Sequence, residues 1–109
     1  FTVRSADLTN GSGQVHYAEF AHGLVMVRTD RTGLSEGSTL GDGSALSFTP
    51  PSAGTGYRWD ALNASTYVHP DIAAYACTGQ DTTLNNGATN VTSVSLKPLH
   101  VKLLRRVAV

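Results

Sequence analysis

Charge is scarce in this chain of 109 residues: only 15% of positions are Asp, Glu, Lys or Arg. About 25% is usual for soluble domains. Glu occurs only at Glu19 and Glu36, and Lys only at Lys97 and Lys102. Exposed helices are built largely from Glu, Lys, Gln and Arg, so this shortage argues against a helical surface. Cysteine is nearly absent. Cys77 stands alone, which excludes an intramolecular disulfide and a cysteine-based metal site. It reads as a small buried apolar residue, the usual fate of a free thiol. No apolar run is long enough to span a bilayer as a helix, and no signal peptide is visible.

Ser and Thr take the place of the missing charge, with 10 and 13 residues. An uncharged polar surface of this kind suits extended strands. The length fits one domain, residues 1–109, able to bury a single core without disulfides or metals. Phe1 already lies in an alternating run that continues to Leu8, and the chain stops inside the apolar run Val101 to Val109. Natural ends usually fray into polar tails. These ends suggest a domain excised from a longer polypeptide.

The net charge is zero but unevenly spread. Residues 82–109 carry Lys97, Lys102, Arg105 and Arg106 and no acid, while the remainder carries four Arg against eight acids. Four basic residues over a long segment are too few for a phosphate-binding surface, and the acidic remainder would repel nucleic acid. No nucleic-acid contact and no membrane insertion are expected.

Strand patterns dominate the chain. Between Gln14 and Thr29, alternation puts Val15, Tyr17, Glu19 and Ala21 on one face and His16, Ala18, Phe20 and His22 on the other. Gly23 interrupts the run, so 14–21 and 24–29 read as one kinked strand or two short ones. Leu24 to Val27 is apolar at both parities, which implies burial on both faces. Residues 30–56 hold six Gly and two Pro among Ser and Thr. Asp30-Arg31-Thr32-Gly33 and Gly41-Asp42-Gly43-Ser44 are turn sequences. A short strand, 45–49, ends at Pro50-Pro51, because Pro cannot donate to a ladder.

Residues 55–62 and 65–68 are strand-like, and 70–77 fit either a short helix begun at Pro70 or another strand. Asn86-Gly87 is a hairpin-type pair. Residues 91–96 and 99–109 follow as strands split by Pro98. Seven to eight short strands joined by turn clusters point to an all-β fold, an antiparallel β-sandwich or jelly-roll-like barrel.

No catalytic frame is assembled. G-x-S-x-G is absent, and no two of the carboxylates share a recognisable spacing. His16 and His22 share a face but stand about 20 Å apart along an extended strand, too far for one metal ion unless Gly23 folds the strand back. His69-Pro70-Asp71 matches the tripeptide of J-domain co-chaperones, but the flanking basic helices of that family are missing. No cofactor, metal or catalytic residue is therefore expected, and the chain reads as non-enzymatic. Three N-glycosylation sequons start at Asn10, Asn63 and Asn90, and point mildly to a secretory history.

The strongest binding candidate is aromatic. Tyr57, Trp59 and Tyr67 follow a Gly-rich loop, with Arg58 and Asp60 interleaved. Alternation puts Tyr57 and Trp59 on one face. Exposed, they would offer a platform to a sugar or a protein partner; buried, Trp59 is the centre of the core.

The Ser/Thr/Gly-rich, charge-poor texture, with long turns and strand-like ends, resembles the outer projecting β domains of icosahedral virus coat proteins. That resemblance implies a structural and attachment module at a virion surface or otherwise extracellular. It would self-associate as a dimer or trimer through an apolar strand face, and present loops 30–43 and 79–90 to a host receptor or glycan. Leu24 to Val27 and the C-terminal strand are where the interface is expected. The alternative is a monomeric carbohydrate-binding or adhesin-like module that uses the aromatic platform.

Overall fold

The computed structural model describes residues 2–38, 42–62 and 88–109. Readings placed on Asn63, the 65–68 strand with Tyr67, His69, the 70–77 segment with Cys77, positions 39–41 of the 30–43 loop, and the 79–87 part of the 79–90 loop with Asn86-Gly87 lie outside these. Among the described residues there are seven strands and no helix, so the described fold is all-β. The strands are β1 (Thr2–Asn10), β2 (Gly13–Phe20), β3 (Gly23–Arg28), β4 (Leu46–Phe48), β5 (Tyr57–Ala61), β6 (Val94–Leu96) and β7 (Val101–Ala108). Five form an antiparallel sheet in the order β1-β2-β3-β7-β5, and β4 and β6 form a small sheet of two.

Local sequence explains the first three strands. Asn10 pairs with Gly13, leaving a two-residue turn at Gly11-Ser12. The run from Gln14 to Thr29 is two strands and not one kinked strand: Glu19 pairs with Leu24, and the chain reverses at Ala21-His22. His16 therefore lies within β2, and His22 in the reversal beyond the strand's end. His16 instead binds Asp7 of the neighbouring strand, Nδ1 to Oδ1 at 2.7 Å.

Burial alternates along β2 and β3. The inner face carries Val15, Tyr17, Leu24, Met26 and Leu104, and the small sheet adds Phe48, Val94 and Leu96 to the same cluster. Contact between the layers is close. Asn10 Nδ2 donates to Ser47 O at 2.8 Å, and a Cβ on Gly13 would stand 2.6 Å from Leu46 Cδ1.

The expectation that Leu24 to Val27 is buried on both faces is corrected. Leu24 and Met26 are buried, but Val25 and Val27 are only half-buried. They lie on the outer face, and β4 and β6 pack on the other.

Arg28 and Asp30 form a charged pair at the β3 end of the inner layer. Arg28 follows Leu24 and Met26 in the strand's alternation and is 1% exposed. Its guanidinium pairs with both oxygens of Asp30, at 2.9 and 3.0 Å, and donates to Ser44 O and Leu96 O. Asp30 also accepts the N–H groups of Gln14 and Thr32, so the acidic turn residue closes the β3 end of the sheet.

Candidate functional site

The candidate binding strand, β5, lies at one end of the large sheet beside β7, with Trp59 opposite Arg106 and Tyr57 opposite Ala108. Tyr57 and Trp59 share a face, as alternation requires, but not an environment. Tyr57 is 51% exposed and Trp59 only 3%. Trp59 is part of the core cluster; its Nε1–H donates to Pro51 O at 2.6 Å, and the Arg106 guanidinium lies 4.7 Å from the ring centroid. The two rings do not form a shared open platform, because Tyr57 sits at the strand's end, past the edge of the inner layer.

Arg58 and Asp60 occupy the other face. Asp60 is buried and accepts from Arg58 Nε at 3.0 Å and from the Asn90 N–H at 2.8 Å. Burial pushes its carboxyl up, but the Asn90 N–H and Arg58 outweigh this and hold it below the ordinary range. Asp30 is held well below that range too, chiefly by Arg28. Both pairs are structural.

Their pH consequence has a definite sign. A carboxyl depressed in the folded state stabilises the fold above its unfolded value, and that contribution is lost as pH falls toward the folded value. The urea midpoint should stay flat from neutrality downward and drop below about pH 4, the unfolded Asp value. Asp30→Asn should flatten that acid limb while lowering stability at neutral pH. An unchanged limb in the variant would refute the assignment.

Tyr57 forms the shared wall of two depressions. The smaller, about 220 Å³, runs past Pro50, Pro51, Arg58 and Val91. The larger is a cleft of about 500 Å³ between the β2–β3 reversal, the 53–57 turn and the end of β7. Tyr57 N–H bonds to Gly54 O at 3.1 Å in that turn. Gly54 and Gly56 have φ of 101° and 83°, a left-handed backbone that side chains rarely adopt, and hold Thr55 out at the rim.

The cleft contains Glu19 and Arg106. Each Glu19 carboxylate oxygen accepts from one guanidinium, Oε1 from Arg4 Nε and Oε2 from Arg106 Nη2. Arg106 further donates to Ala53 O at 2.9 Å, Phe20 O at 2.8 Å and Ala21 O at 2.7 Å. Val3, Ala21 and Ala53 add apolar wall, and His22 and Thr55 add polar atoms.

Sequence reasoning missed this Arg4–Glu19–Arg106 cluster. The signal was present: Glu19 sits at the parity of Val15 and Tyr17, and a buried carboxylate demands a cation. Arg106 likewise continues the parity of Lys102 and Leu104. No protein-family model, curated protein or solved structure matches this chain.

Proposed function

We propose that this chain is a non-enzymatic structural and attachment module, an outer projecting domain of a virus coat protein exposed at the virion surface, that self-associates and presents turns to a host. Its two layers are read as a β-sandwich of the jelly-roll kind. The observation that carries the reading is the outer face of the large sheet. Across neighbouring strands, Ala18, Val25 and Leu103 stand in one row, and Val27 and Val101 in the next. All five are half-buried. An apolar row of this kind is an interaction surface, and a two-fold axis through it sets the same residues of two copies face to face.

Two further features agree. The Asp30 and Asp60 carboxylates are locked to arginines and held ionised, which suits structure better than proton transfer. The turns around 31–38 and 42–45 are largely exposed, as host-facing segments must be.

Size exclusion with light scattering over a wide concentration range tests the proposal. A dimer or trimer that persists on dilution is expected, and Leu103→Lys should dissociate it with little change in melting temperature. A wild-type chain that stays monomeric at every concentration would overturn it.

A further inference from the structure

We propose that the cleft between Tyr57 and Arg106 binds an acidic sugar, a pyranose that carries a carboxylate. This goes beyond self-association and does not depend on it, since the apolar row and the cleft are separate surfaces.

The cleft's size falls within the roughly 300–1,000 Å³ range of small-ligand sites. Its lining is mixed. The Tyr57 ring and the Val3, Ala21 and Ala53 side chains supply apolar area, while Glu19, His22, Thr55 and Arg106 supply polar atoms. That combination matches the two-sided chemistry of a sugar ring. The C–H face of a pyranose lies on an aromatic ring, and its hydroxyls exchange hydrogen bonds with carboxylate, hydroxyl and imidazole groups.

Charge selects among sugars. Glu19 is paired on both oxygens, so the Arg4–Glu19–Arg106 cluster carries a single positive charge; Glu19 and Arg106 line the cleft and Arg4 lies behind Glu19, outside the lining. Glu19 is the only acid lining the cleft among the described residues. A neutral sugar would leave that charge unanswered, whereas a carboxylate answers it and accepts from the one Arg106 Nη2–H not engaged by Glu19, Ala53, Phe20 or Ala21.

The arginine is also set before any ligand arrives. Its bonds to Ala53 O, Phe20 O, Ala21 O and Glu19, together with the Trp59 ring beneath it, fix the guanidinium plane. Little side-chain entropy is then lost on binding.

Trp59 makes the test direct, because it is the only Trp in the chain and lies against Arg106. Its emission should be titrated with glucuronic acid and N-acetylneuraminic acid, with glucose as ring without charge and acetate as charge without ring. A saturable change with at least one acidic sugar is expected, with at least tenfold weaker responses to glucose and acetate. Tyr57→Phe should keep the response, and Tyr57→Ala should weaken binding at least tenfold at an unchanged melting temperature. Equal binding of glucose would overturn the charge argument, and equal binding of acetate would overturn the ring argument. No saturable change with either acid up to about 50 mM, well past the millimolar range of weak binding, would overturn the site itself.

Discussion

Arg28→Ala is expected to lower the free energy of unfolding by about 3–5 kcal/mol, the cost of breaking a buried ion pair from one side. The substitution removes more than a contact. Asp30 loses the partner that holds it ionised, and Ser44 O and Leu96 O lose their donor inside the inner layer. Leu96 belongs to β6 and Arg28 to β3, so the guanidinium also ties the small sheet to the large one. Against a net stability of about 5–15 kcal/mol, that loss leaves many such domains partly unfolded.

Urea denaturation reads the effect as a shift in midpoint at constant slope. Arg28→Met separates the terms. It restores apolar volume but still strands Asp30, so it should remain strongly destabilised, and adding Asp30→Asn should recover part of the loss. A loss below about 1 kcal/mol for Arg28→Ala would mean that water replaces the guanidinium at no cost, and that the residue does not organise the layer.

The difference between what could be read in advance and what could not follows the range of the interactions. Alternation grouped Val15, Tyr17 and Glu19 on one face of β2, which the structure buries, because side-chain direction in a strand is a nearest-neighbour property. The doubly apolar β3 read as buried on both faces; it is a central strand, between β2 and β7, with one face buried and the other half-buried. What covers each side of it is set by β4 and β6, distant in sequence, and so the half-burial of Val25 and Val27 was not legible. Nor was the place of the C-terminal strand between β3 and β5, since no local pattern encodes strand order.

The site divides in the same way. Strand parity put Tyr57 and Trp59 on one face. Their contrast in exposure comes from Pro51, Arg106 and the end of the inner layer, none of which is adjacent in sequence. Arg28, Glu19 and Arg106 each sit at a core parity and were legible as anomalies. Their partners, Ser44, Leu96, Arg4 and Ala53, became visible only in three dimensions.

Trp59→Ala is expected to cost about 3–5 kcal/mol, the usual penalty for emptying a large aromatic site in a core. The ring is buried and its N–H is satisfied by Pro51 O. Trp59→Phe should cost less. It keeps an aromatic face under Arg106 and strands only one carbonyl, for which about 1 kcal/mol is the typical net value of a hydrogen bond. A double-mutant cycle with Arg106→Met isolates the cation–ring term, expected at about 0.5–2 kcal/mol. The comparison also decides what this tryptophan is for. If Trp59→Ala melts at the wild-type temperature and loses only ligand binding, the ring is an exposed platform and the core assignment fails. If the variant unfolds at lower urea while Tyr57→Ala does not, the two rings have separate duties: Trp59 holds the layer and orients Arg106, and Tyr57 alone faces the cleft.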